Sequence, residues 1–337
     1  MTLTLASPYF VSLSKPIRIL ITLFAMTALH PLALASAQSQ PQQSSPQIDY
    51  HQHLLMPTDE NPRGFLASDL IQLLDDAHIP RALVLSMAYR YGNPNHPLVA
   101  DEYAHVKAEN DWVSAQIAQY PDRLRGFCGV DPLKSYALAE IDRCALDPRL
   151  HFGLKMHFGN SDVDLDNPDH VAALRKVFQS AAAHHMAIVV HMHASITSHR
   201  PYGAKEAQIF LTQVLPAATA AGAYVQIAHF AGSGGYDDPG TDAALRVFIR
   251  AIQNHDPSMN NVYFDITNVA GLGNWQPKKD LIAKRARQLG ITRILFGSDG
   301  NFGGGVPPSK ALTDFHALPL SPSEFLTINS NLTPYMR

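Results

Sequence analysis

The chain has 337 residues, 46% hydrophobic and 16% charged, with a formal net charge of -3 at pH 7. That is the balance of a globular protein, and it excludes the charge excess that marks nucleic-acid binding. The 17 histidines are numerous for this length, and metal chemistry is one reason a chain carries many.

The first residues point to export. Lys15 and Arg18 precede the apolar run "ILITLFAMTAL", and Ala35 and Ala37 supply small residues around a spacer. A positive region, a short apolar core and an A-x-A site in that order predict a secretory signal over residues 1–37, cleaved after Ala37. The apolar run before His30-Pro31 falls short of the ~20 residues that span a bilayer, so no stable membrane insertion is expected after cleavage. No Cys follows the site, which argues against a lipid anchor, and the destination is periplasmic or secreted. Residues 38–47, "QSQPQQSSPQ", form a disordered linker. The remaining stretch, 48–337, suits a single α/β barrel domain.

Eight short apolar runs follow: "IDYHQH", "ALVLSM", "LRGFCGVDP", "HFGLKMHF", "AIVVHMH", "AYVQIAHFAG", "VYFDITNV" and "RILFGSD". Helical patterns lie between most of them. Ser68 precedes "DLIQLLDDA", Asn167-Pro168 opens "DHVAALRKVFQSAAAHH", Thr241 precedes "DAALRVFIRAI", and Ser321 with Glu324 forms a capping box. The mean period of about 35 residues fits the roughly 30 per unit of an eight-stranded parallel barrel. A doubly wound sheet would favour a Gly-rich turn after its first strand, whereas "LLMPTDENP" stands there. Cys128 falls in an apolar strand and Cys144 in the next helix. Two cysteines make no disulfide framework, and buried free thiols are expected.

In such a barrel the chemistry gathers at the carboxyl ends of the strands. Unusual polar residues fall there repeatedly: Asp49, His51 and His53 alternating on the first strand, Lys155 and His157 on the fourth, His191 and His193 on the fifth, His229 on the sixth, Asp299 on the eighth. Imidazoles and a carboxylate converging on one point suit a divalent transition metal with a position left open for water.

The ordered set "HQH", "GLKMH", "VVH", "AHFAG" and "FGSD" resembles the amidohydrolase superfamily, in its amidohydrolase-related branch of metal-dependent hydrolases and decarboxylases. The resemblance spans Ile48 to the C-terminus and implies a parallel barrel enzyme. It implies that His51, His53, His191 and Asp299 are metal ligands and that Asp299 also accepts protons. His229 matches the residue that orients or deprotonates the attacking water in members with one metal, and that binds the second metal in members with two. The fifth strand offers both His191 and His193, and the family register favours His191. Lys155 stands where binuclear members carry a carboxylated lysine. One ion is expected here, zinc before manganese, with Lys155, His157 and His193 as second-metal or substrate-facing groups.

Arg90, beside Tyr89 and Tyr91, and Arg200, beside Tyr202, lie in loops on the catalytic face, where a guanidinium fork suits a substrate carboxylate. His78, His105, His170, His184, His185, His255 and His316 are expected at the surface. "GNFGGGV" lacks the G-K-[ST] ending of a phosphate loop and is expected to be a mobile loop beside the site. The expected activity is water attack on a lactone, ester or amide carbonyl of a small molecule. Non-oxidative decarboxylation of an unsaturated or aromatic acid is the alternative, and a non-catalytic small-molecule or metal-binding barrel the third. A homo-oligomer is compatible with all three.

Overall fold

A computed structural model of the chain describes residues 45–59, 61–193, 200–300 and 306–337. The expected signal segment, most of the linker and all but the ends of the "GNFGGGV" loop lie outside the described residues.

Each apolar run contains one strand: β1 (Ile48–Gln52), β2 (Arg81–Leu85), β3 (Leu124–Gly129), β4 (Gly153–His157), β5 (Ala187–His191), β6 (Val225–Ile227), β7 (Val262–Asp265) and β8 (Ile294–Leu295). All are parallel and neighbour one another in chain order. Tyr50 N donates to Phe296 O at 2.9 Å and Asp299 N to His51 O at 2.8 Å, which brings the eighth strand back to the first. The result is an eight-stranded parallel barrel.

Strand alternation separates two cores. Outward residues such as Leu154, Met156, Ile188, Val190 and Phe264 pack under the helices. Inward Leu83, Leu85, Phe127, Val189 and Leu295 fill the lower barrel together with Tyr50, and Tyr335 and Met336 of the C-terminal tail seal it from below. One step further along the strands the interior turns polar: Lys155, His191, Gln226 and Asp265 are all buried.

The first strand departs from simple alternation. Its pairing with β2 slips between Asp49 and Gln52, a bulge that puts one extra residue on β1. Tyr50 therefore joins the lower core while the next residue, His51, also faces inward. Asp49 is thereby turned away from the two histidines, against the expectation of a shared face. It accepts from Gln52 Nε2 at 2.7 Å and from Ser298 N and Oγ at 3.0 and 2.6 Å, tying β1 to the end of β8.

The helices are α1 (Ala67–Asp76), α2 (Glu102–Ile117), α3 (Ala137–Ala145), α4 (Pro168–Ala183), α5 (Ala204–Ile209), α6 (Pro216–Thr219), α7 (Pro239–Gln253), α8 (Lys279–Leu289), α9 (Pro308–His316) and α10 (Pro322–Ser330). Asn167 caps α4 and the Ser321–Glu324 box caps α10, as expected. Two helices start earlier than their sequence signals. In α1 the Asp69 carboxylate reaches back to Leu66 N at 3.0 Å, so Ser68 sits inside the helix. In α7 Asp238 takes the cap through Gly240 N at 2.7 Å, which places Thr241 in the first turn.

The cysteines overturn their expectation. Cys128 lies on the outward face of β3 and Cys144 on the inward face of α3, with Cα atoms 6.2 Å apart, and they are bonded as a disulfide. A strand and the helix that returns over it bring opposed faces to bridging distance, which sequence spacing alone did not reveal.

Candidate metal centre

Three histidines have one ring nitrogen committed to a fixed acceptor. His53 Nδ1 donates to Leu85 O at 2.6 Å, and His229 Nδ1 to Thr267 O at 3.0 Å. His51 Nδ1 lies 3.2 Å from Asp265 Oδ2. Burial pushes the Asp265 carboxyl up, but His51, His229 and their hydrogen bonds outweigh it and hold it well below the usual range, so it stays an acceptor. The network thus assigns the proton to Nδ1 in all three rings and leaves Nε2 as a lone pair.

Two of those lone pairs, of His51 and His53, meet the Asp299 carboxylate, while His191 stands outside that group. The ligand atoms of His51, His53 and Asp299 lie within 4.8 Å of one another, with His53 Nε2 3.7 Å from Asp299 Oδ1. The His191 ring is 4.7 Å from that of His229, which is itself 4.7 Å from His51. Among the described residues, buried His191 Nε2 and Asp299 Oδ1 have no hydrogen-bond partner. Burial lowers the pKa of His51, His53, His191 and His229, with neighbouring imidazoles and Lys155 adding; for His51 it falls to about 3. Neutral imidazoles, a carboxylate and two uncommitted buried donor atoms fit a divalent cation.

The family model for amidohydrolases matches residues 48–324. The chain belongs to the amidohydrolase family. Members of this family are metal-dependent enzymes, hydrolases or decarboxylases. Among solved structures, this amidohydrolase resembles a probable 2-pyrone-4,6-dicarboxylic acid hydrolase from Acinetobacter baumannii, at 19% identity and TM-score 0.53 over 84% of this chain and 96% of that one. It resembles 5-carboxyvanillate decarboxylase from Sphingomonas paucimobilis at 13% and 0.58, over 85% and 97%. A zinc-bound amidohydrolase from Burkholderia multivorans aligns at 13% and 0.56, over 85% and 96%. At these identities the likeness is one of fold. No curated protein matches the chain.

The remaining candidates of this amidohydrolase divide by tautomer and partner. His157 Nδ1 accepts Asn160 N at 3.1 Å, so its proton sits on Nε2 and the ring is a donor, stacked on His191 at 3.9 Å. His193 faces away, its Nε2 2.6 Å from Asp238 Oδ2 and its ring against Tyr202. Lys155 is fully buried with Nζ 3.2 Å from His51 Nε2; burial lowers it to about 8, while Asp265 and Asp299 pull it back up. Burial raises Asp299 to about 7, opposed by Lys155 and helped by Asp265 and Asp49.

Arg200 is already committed: Nε and Nη2 each hold Asp162 at 3.0 Å and Nη1 holds Asp164 at 3.0 Å. Arg90 lies over the Tyr91 ring at 5.3 Å, and its charge also acts on buried Glu109. It lines an open pocket with Met56, Tyr91 and His96. Of the seven histidines expected at the surface, five are exposed, while His170 and His316 are half-buried. His170 accepts Asp164 N, and His316 packs on Phe315 and Phe325.

Sequence reasoning missed Asp265 and Asn268, and it placed Tyr89 only as a loop neighbour of Arg90. Asp265 ends the apolar "VYFD" as Asp299 ends "FGSD", so the same strand-end signal was present. The Tyr89 ring is buried 5.5 Å from His157, and Asn268 Nδ2 donates to Asp299 Oδ2 at 3.3 Å. The polypeptide is strained around these groups: His229, Phe230, Ala231, Asn268 and Asp299 all have φ between 51° and 60°, a left-handed region that non-glycine residues occupy at a cost.

Proposed function

We propose that this chain is a metal-dependent hydrolase that opens a lactone, ester or amide carbonyl in a small carboxylate-bearing substrate. The observation that carries the reading is the convergence of neutral imidazoles and the Asp299 carboxylate beside the uncommitted Nε2 of His229. His51, His53, His191 and Asp299 would hold a single divalent cation, zinc or alternatively manganese, which would supply Lewis acidity to acidify water and polarise a carbonyl. His229, anchored through Nδ1, orients the attacking water with Nε2. Asp299, its Oδ1 3.7 Å from His53 Nε2, takes a proton from that water and returns it to the leaving oxygen or nitrogen. His157 offers its Nε2 proton to oxygen as charge develops there. Arg90 rather than the committed Arg200 holds the substrate carboxylate. A dicarboxylic acid hydrolase and a carboxyvanillate decarboxylase among the similar structures support a carboxylate substrate.

One observation favours the second reading, non-oxidative decarboxylation. The similar structures include a 5-carboxyvanillate decarboxylase and a 2,6-dihydroxybenzoate decarboxylase, and Asp299, whose protonated form burial favours, stands ready to give a proton. As the C–C bond breaks and carbon dioxide leaves, the carbon retains the electron pair and takes that proton from Asp299. The buried disulfide supports the exported location proposed from residues 1–37, since such bonds persist in oxidising compartments.

Three experiments test this. Elemental mass spectrometry of protein purified without chelator should find about one equivalent of metal; two would assign His229 and Lys155 to a second ion. His51→Ala/His53→Ala should lose metal and activity and keep its circular dichroism spectrum; full activity there would remove the site assignment. On the wild type, ring opening of lactones without gas supports hydrolysis, and carbon dioxide from an aromatic acid the second reading. Full metal loading with no turnover on any panel would leave a binding protein.

A further inference from the structure

A line of hydrogen bonds runs through the barrel from its sealed end to the metal centre. Tyr335, in the C-terminal tail, donates its hydroxyl to Gln226 Oε1 at 2.9 Å. Gln226 Nε2 donates to Asp265 Oδ2 at 2.6 Å and to Tyr50 O at 3.2 Å. The same Asp265 oxygen lies 3.2 Å from His51 Nδ1. The other, Oδ1, accepts His229 N at 2.9 Å. Both oxygens of Asp265 are therefore spent on orienting two histidine segments.

A seal needs none of this polarity. Met336 beside Tyr335 is apolar, and so are the neighbouring interior positions Val189 and Leu295. Phe would fill the volume of Tyr335, and replacing both partners of a buried hydrogen bond by apolar groups can be nearly neutral, whereas Leu at 226 would also strip a donor from Asp265 Oδ2 and Tyr50 O. What the pair does instead is satisfy the amide at both ends. With Oε1 paired to Tyr335, Nε2 is held on the Asp265 oxygen that faces His51. Without the hydroxyl, Oε1 becomes a buried unpaired acceptor, and the amide is drawn to other donors.

We propose that Tyr335 is a positioning residue for the metal centre: acting through Gln226 and Asp265, it fixes the tautomer and direction of His51, so the C-terminal tail belongs to the cation site from the opposite end of the barrel. This rests on the reading of His51 as a ligand.

The test titrates metal-free protein with zinc against a chromophoric chelator. Tyr335→Phe should weaken zinc affinity about tenfold and Gln226→Leu by about 10–100-fold, the range seen when the outer partner of a ligand is lost. The double variant should bind no more weakly than Gln226→Leu alone, because the line is already cut. Its metal-free form should still unfold cooperatively, at a lowered Tm, because Asp265 Oδ2 and Tyr50 O each lose the Gln226 donor. Unchanged affinity in Tyr335→Phe, or losses that multiply in the double variant, would reduce Tyr335 to a seal. Should Tyr335→Phe not fold, Gln226→Leu leaves the tail intact and makes the same comparison, and unchanged affinity there overturns the proposal. His51→Ala separates the two levels: unchanged affinity in it removes the ligand reading, whereas loss there with no change in Tyr335→Phe removes only the positioning role.

Discussion

A histidine count says little until each ring has a proton assigned. His51, His53 and His229 point lone pairs inward because a carboxylate and two carbonyls hold their Nδ1 protons, whereas a backbone N–H on His157 Nδ1 makes that ring a donor. The same residue type thereby takes two roles within one barrel mouth. Room for His51 depends on Gly297, where a Cβ would stand 2.8 Å from His51 Cβ and also against Thr267 Oγ1. Gly297→Ala must therefore push His51 aside. Turnover should fall about 100-fold, the scale of a misplacement near 1 Å, with the circular dichroism spectrum unchanged. Wild-type kinetics in this variant would show that His51 has slack the packing does not suggest.

At the scale of elements, the disulfide locks α3 onto β3 across a loop of 16 residues. Closing a loop of that size stabilises by about 3 kcal/mol in the chain-entropy account. Cys128→Ala/Cys144→Ala should lose about that much in denaturant unfolding, and a loss below ~1 kcal/mol would mean the packing alone holds the pair. Strands were the most legible elements, because each is a short apolar run closed by polar residues, and such runs announce a buried strand whatever surrounds them. Helix starts were legible only where the cap is local, as at Asn167 and Ser321. In α1 and α7 aspartates set the boundary, and the Ser68 and Thr241 signals, equally good in isolation, fell inside. The bulge in β1 left no mark in the pattern, so Asp49 was placed with the histidines when it serves β8 instead. The ligand candidates stood at strand ends and could be picked out. Their partners Gln226 and Tyr335 could not, because their roles exist only once the tail lies under the barrel.

The whole molecule carries many buried ionisable groups, and they set its response to acid. Asp49, Asp131 and Asp299 have folded pKa values raised by burial to about 6, 7 and 7, so what they contribute to stability is present at low pH and lost as pH rises through those values. The five site histidines, 51, 53, 157, 191 and 229, are lowered, chiefly by burial, so their contribution is present above ~6.5 and lost as pH falls. Between about pH 4 and 6.5 the imidazoles outnumber the carboxylates. The metal-free protein should therefore weaken on acidification by roughly 1–3 kcal/mol per pH unit. Denaturant unfolding at pH 6.5 and 5.0 checks this, and a flat profile would mean that the rings are already charged in the fold. The meeting of chain ends in this barrel also governs the order of events in time. Asp49 and Ser298, 249 residues apart, are bonded, and the candidate ligands His51 and Asp299 flank them. Contacts of such separation carry the largest loop-closure cost, so they are expected late in folding. A cation thus has nothing to hold during the search and arrives at a finished cage, so zinc should leave the refolding rate unchanged and slow unfolding alone.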